Sequence, residues 1–115
     1  MPRNKKIRFV AHQPPAAVFK PAGLPARGLV WSVLTLDQYE AFRLADYLGM
    51  TQEEVAQRLG VSRPTVCRIL EVARRTVAQA LVEGRALAIE GGPVRFAPPP
   101  GPGRWRRGRG WGWRY

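Results

Sequence analysis

Three sets of side chains in this 115-residue sequence could do chemistry: the carboxylates Glu40, Asp46, Glu53 and Glu54, the single thiol Cys67 with the single imidazole His12, and the arginines Arg63, Arg68, Arg74 and Arg75. General acid–base work needs a titrating group held within reach of the proton it moves. Here the acids are spread over helix caps and exposed faces, where they answer the dipole of a first helical turn. No second catalytic group accompanies them. Nucleophilic work by Cys67 would need a partner base; without one, a cysteine in a helix reads as a small packing residue. His12 lies in a proline-rich stretch, and with Cys67 it makes a poor metal set, since structural zinc takes four ligands. No catalytic residue, metal or cofactor is expected, and the chain does not read as an enzyme. The arginines differ, because a guanidinium pairs bidentately with O6 and N7 of guanine when a helix carries it into the major groove.

The segment 51–70, TQEEVAQRLGVSRPTVCRIL, has the spacing of a helix-turn-helix that would do this. Two helices crossing steeply must touch at a small residue, here Ala56. The short turn between them needs a residue tolerant of positive φ, here Gly60. Val61 plugs the turn, and Val66 and Ile69 anchor the second helix against Val55 and Leu59. The plain alternative is a helical hairpin with a glycine turn, which does not require Ala56, Gly60 and Val66 together. In the helix-turn-helix reading, the helix opened by Ser62 enters the major groove with its first turns at the bases. Its outward face offers Arg63, Pro64, Thr65, Cys67 and Arg68 to base edges, with Glu71 beside them. Ser62 and the N–H groups at the helix start suit a phosphate, and Gln52 is placed for a backbone contact. Arg74 and Arg75, further along, are expected at phosphates or paired with Glu71; otherwise they belong to a solvated face with local pairs.

Caps and periodicity set the helices that must hold these groups. A first helix is predicted over 36–48, opened by a Thr35–Gln38 capping box and closed at Gly49. Leu36, Tyr39, Phe42, Leu44, Ala45 and Leu48 form its apolar face. A second is predicted over 52–59, with Thr51 and Glu54 as capping box and Gly60 as its stop. The third starts after the N-cap Ser62 and carries Pro64 in its first turn, where a missing N–H does no harm. Its stripe of Val66, Ile69, Leu70, Ala73 and Val77 runs to about residue 83, before Gly84. Residues 86–90 read as a short strand or an extended tail, and the weak alternation around Ile7 and Phe9 as a short strand or a disordered basic arm. The expected fold is an all-α core, a helix-turn-helix three-helix bundle at 35–92. An extended, basic, Pro-rich arm precedes it at 1–34, and a disordered Arg/Gly/Pro/Trp tail comes after it at 93–115.

The net charge of +11 asks for a polyanionic partner. Its distribution is uneven: residues 1–34 hold six basic side chains and no acids, residues 35–92 are net −1, and residues 93–115 hold six arginines and no acids. In the arm, Lys5, Lys6 and Arg8 are expected at phosphates or in the minor groove. Trp105, Trp111 and Trp113 among the tail arginines suit stacking on single strands, and equally a membrane surface or solubility. One cysteine excludes an internal disulfide framework. There is no apolar run of membrane-spanning length and no apolar segment after the basic N-terminus to make a secretory signal. A cytoplasmic protein is expected.

FKPAGLP (19–25), the stretch LTLDQYEAFRLADYLGMTQEEVAQRLGVSRPTVCRILEVARRTVAQALVEG (34–84) and ALAIEGG (86–92) resemble a prokaryotic family of small predicted DNA-binding proteins of unknown function. The core of that family resembles the fourth region of sigma factors. The resemblance covers roughly residues 1–92 and implies a transcription-factor-like role. Members often start with a Pro-Arg-Pro-Lys-Lys-Cys-Arg type segment; this chain has PRNKKIRFV, with Ile7 at the cysteine position, which weakens any metal or redox role for the arm.

The function expected from these residues is sequence-specific binding of double-stranded DNA by a transcriptional regulator. Rival readings are an interaction module of sigma region-four type, with RNA polymerase or a regulatory protein as partner, and an RNA-binding protein driven by the tail. A homodimer on paired half-sites would suit the first reading, with residues 87–89 or the arm as its contact.

Overall fold

The computed structural model describes residues 6–25 and 27–96. Strands β1 (Arg8–Val10), β2 (Val18–Phe19) and β3 (Trp31–Leu34) precede helix α1 (Leu36–Phe42), which continues into a π-helical turn, Arg43–Tyr47. Helices α2 (Gln52–Leu59) and α3 (Arg63–Glu83) come next, and then strands β4 (Ala86–Ile89) and β5 (Val94–Phe96).

The helices start where their caps direct. The Thr51 N–H donates to Glu54 Oε1 at 2.9 Å while the Glu54 N–H donates back to Thr51 Oγ1 at 3.2 Å, a reciprocal box. At α1 the Thr35 N–H donates to Gln38 Oε1 at 3.0 Å. Gly60 ends α2 at φ +74°, and its N–H reaches the Ala56 carbonyl at 2.8 Å. A side chain with Cβ resists that left-handed conformation, so a glycine there fixes a turn of only three residues before α3. The π turn, closed by a Leu48 N–H to Arg43 carbonyl bond of 2.9 Å, inserts an extra residue into the first helix and rotates the chain beyond it.

The expectation of an all-α core is overturned: the fold is mixed α/β, with five strands in two sheets among the described residues. In the three-stranded sheet, of order β2-β4-β3, the central β4 runs antiparallel to β2 and parallel to β3. In the other, β1 lies parallel to β5 with Arg8 opposite Val94. The physical reason is uncovered apolar surface. One core cluster, around Leu44, Val55, Leu59, Val66 and Leu70, is closed by the helices alone. A second side of the helices, with Tyr39, Phe42, Ala73 and Val77, is covered by Leu34 from β3 and by Leu87 and Ile89 from β4. Because β3 leads directly into α1 and β4 leaves α3 at Gly84, the parallel β3–β4 pairing ties together the two ends of the helical segment.

The expected arm at 1–34 therefore holds three strands of the domain, and the expected tail at 93–115 begins with β5. Residues 97–115, including Trp105, Trp111 and Trp113, lie outside the described residues. Among the described residues, no helix is long and apolar enough to cross a membrane, and no three of His, Cys, Asp and Glu gather where they could hold a metal ion.

Candidate functional site

The face of interest is built by α2, its turn and the first half of α3. Val66, Ile69, Leu70 and Ala73 are buried and fix the rotation of α3. Fully burying side chains of this size contributes roughly 1.5–3 kcal/mol each for the larger ones, so the orientation is firmly set. At about 100° per residue, Pro64, Cys67, Arg68, Glu71 and Arg75 then lie along the outward side of α3. Arg63 and Arg74 stand on one flank. Arg63, Pro64, Cys67, Arg68, Arg74 and Arg75 are all exposed, and Thr65 is half-buried.

At the start of α3 the Ser62 Oγ and Thr65 Oγ1 share a hydrogen bond of 2.9 Å, and the Thr65 N–H points at the same Oγ at a longer 3.4 Å. The Cys67 thiol donates to Gln52 Oε1 at 3.0 Å. That contact brings the first turn of α2 beside the outward side of α3, so Gln52, Ser62, Thr65 and Cys67 occupy one connected surface. Arg63, Arg68 and Arg75 make no ion pair among the described residues.

Arg74 is placed differently from the sequence expectation. Its partner is Asp46 in the π turn, through Nε to Oδ2 at 2.9 Å and Nη2 to Oδ1 at 3.0 Å, not Glu71 on its own helix. The hydrogen bonds it donates to Asp46 hold the Arg74 guanidinium above its ordinary pKa. Engaged in this way, Arg74 staples α3 to the end of the first helix.

Arg8 must be corrected outright. It was expected on a phosphate as part of a solvated arm. It is 7% exposed, and its Nη1 lies 3.4 Å from Asp37 Oδ2, between β1 and α1. The reason is the strand: β1 pairs with β5 and turns Arg8 and Val10 inward together, as alternation demands. Lys6 is exposed. Lys5 lies outside the described residues.

Sequence reasoning also missed what supports the site from behind. Phe9, from β1, packs on the turn: a Cβ at Gly60 would lie 3.0 Å from its Cδ2. Glu40, read as exposed, is 3% exposed and bonded twice to Arg43 at 2.9 Å. It also accepts from the Ala11 N–H at 3.3 Å, just past β1. Burial lowers the Arg58 guanidinium pKa, partly offset by the nearby Glu40 carboxylate. The first strand is thus tied to α1 and to the turn at Gly60 that leads into α3. The weak alternation of Ile7 and Phe9 against Lys6 and Arg8 is the one signal for it, and the strand turns the other set, Arg8 and Val10, inward.

With this geometry in hand, comparison with known proteins is direct. A model of the DUF134 family, described as a protein of unknown function, matches residues 1–97. The chain belongs to the DUF134 family. It is 47% identical over 92 residues to a UPF0251 protein of Chloroherpeton thalassium, a match covering 80% of this chain and 61% of that one. It is 47% identical over 97 residues to a UPF0251 protein of Halothermothrix orenii, covering 84% and 72%. It is 44% identical over 95 residues to a UPF0251 protein of Thermoanaerobacter pseudethanolicus, covering 83% and 80%. The chain thus spans 61% of the length of the first of these relatives. No solved structure matches. The family match ends at residue 97, just past β5, so the Arg/Gly/Trp segment lies outside the matched residues.

Proposed function

We propose that this DUF134 protein binds double-stranded DNA sequence-specifically and acts as a transcriptional regulator, with α2, the turn at Gly60 and α3 serving as a helix-turn-helix. The observation that carries the reading is the outward side of α3's first turns. There, Arg63 and Arg68 are exposed without an ion pair among the described residues, on a helix whose rotation is fixed by buried Val66, Ile69 and Leu70. Unpaired arginines on a rigid helix start are what base-edge recognition requires. Pro64, Thr65 and Cys67 lie within reach of the same bases. Gln52, Ser62 and Arg75 are assigned to phosphates, with Lys5 and Lys6 adding charge from the N-terminus. Arg74 reaches a phosphate only by releasing Asp46. The proposed activity is binding, not catalysis, and it belongs in the cytoplasm.

The test is selection from random duplexes with the full chain and its R63A/R68A variant, at two salt concentrations. The expected result is an enriched motif that the variant loses, each arginine carrying roughly 1–3 kcal/mol of base discrimination. Nonspecific affinity, set by phosphate charges, should fall steeply with salt in both proteins. Failure of the wild-type chain to enrich any motif refutes the proposal.

A further inference from the structure

At the far end of α3 from Arg63, the structure holds a groove of about 440 Å3 between that helix, α1 and the three-stranded sheet. Its size lies within the range of small-molecule sites, about 300–1,000 Å3. The walls are apolar and include three aromatic rings, Phe19, Tyr39 and Phe42, with Val77 and Leu87 between them. The mouth is apolar too. Leu81 is 79% and Phe19 54% exposed, surface that water solvates poorly.

The two charged side chains that line this groove are both basic. Lys20 and Arg85 line it, and no carboxylate does. Lys20 is exposed and makes no ion pair among the described residues. Arg85 is held in place by Glu83, through its Nε at 2.9 Å, and its Nη1 points to Ser32 Oγ at 3.5 Å. A cationic occupant is repelled by Lys20. An occupant with an apolar body and one negative group is attracted.

We infer that the groove binds a small apolar carboxylate, a fatty or aromatic acid. Its body lies against Phe19, Tyr39, Phe42 and Val77, and its carboxylate pairs with Lys20 and Arg85. Such a ligand covers the exposed rim and gives Lys20, which makes no ion pair among the described residues, a partner of opposite charge. Val77, Ala80 and Leu81 of the groove belong to the same helix that carries Arg63 and Arg68. The inference does not depend on DNA binding, since it is tested without nucleic acid.

The experiment is calorimetric titration of the full chain with decanoate, kept below its micelle concentration, and with neutral decanol. Three variants accompany the wild type: K20Q/R85Q, the groove-filling A80F, and R95Q as a control for adsorption to an exposed arginine elsewhere. Circular dichroism confirms that each is folded. The expected result is saturable binding of about one decanoate per chain. K20Q/R85Q should weaken it about tenfold while leaving decanol unchanged, and R95Q should leave both unchanged. A80F should abolish both; if it does not fold, the K20Q/R85Q comparison decides alone. The inference is overturned if wild type does not bind decanoate. It is equally overturned if K20Q/R85Q binds decanoate as wild type does, or if R95Q weakens binding as much as K20Q/R85Q.

Discussion

Replacing Gly60 by alanine measures how closely the first strand grips the turn between α2 and α3. Two effects add. The residue sits at φ +74°, and an L-residue with a Cβ in that region costs about 1–2 kcal/mol. The new methyl would also lie 3.0 and 3.1 Å from Cδ2 and Cε2 of Phe9. The ring has to shift by a few tenths of an ångström, yet Arg8 and Val10 on either side of it are buried. Overpacking of this kind costs roughly 1–3 kcal/mol. Gly60→Ala should therefore destabilise by about 2–5 kcal/mol, a large part of the ~5–15 kcal/mol typical of a domain. Phe9→Ala removes the obstacle while leaving the backbone term. In that background Gly60→Ala should cost only about 1–2 kcal/mol, so the two substitutions couple by about 1–3 kcal/mol. Urea unfolding of the four proteins, monitored by far-UV circular dichroism, closes the cycle. An equal cost of Gly60→Ala in both backgrounds would show that Phe9 does not rest on the turn and would refute the reasoning.

Glu40→Ala removes the buried carboxylate that faces the Arg43 guanidinium and should cost about 3–5 kcal/mol in the same urea assay; a change below about 1 kcal/mol would mean that water solvates the pair. Alkylation of the exposed Cys67 with a maleimide should abolish motif-specific DNA binding while leaving the melting temperature within a few degrees. Retention of binding by the fully alkylated protein, measured by mass spectrometry and fluorescence anisotropy, would remove Cys67 from the interface.

What the sequence carried plainly was whatever is written in local spacing. The capping box at Thr35 opens α1, and the box at Thr51, the N-cap Ser62 and the stops at Gly60 and Gly84 bracket α2 and α3 at their observed limits. The same periodicity placed Arg63, Cys67 and Arg68 on the outside of α3, because burial of Val66, Ile69 and Leu70 leaves them nowhere else. The strands were half legible at best, residues 86–90 and the stretch around Ile7 and Phe9 reading either as strand or as irregular chain, for a physical reason. They are two to four residues long, too short for alternation to register, and their partners lie far along the chain. β3 shows the pattern over four residues, with Ser32 and Leu34 buried and Trp31 and Val33 exposed. Pairing across elements was equally invisible: Arg74 finds Asp46, and Arg8 finds Asp37, at separations that no helical repeat encodes. Glu40 and Arg43 defeated the rule that charges face outward because they neutralise each other inside.

The pairing of β1 with β5 has a consequence for the life of the chain on the ribosome. Arg8 waits for Val94, and Trp31 for Ala86, so neither sheet can close until nearly the whole domain has been synthesised. The helices, built from local contacts, can form well before that. During the interval the turn at Gly60 lacks Phe9, and Tyr39, Phe42 and Val77 lack their cover. Distant pairings of this kind slow folding and leave apolar surface open to other chains meanwhile. A nascent chain stalled before residue 94 should therefore be a good substrate for a chaperone that recognises exposed apolar segments, whereas one released just after it should not.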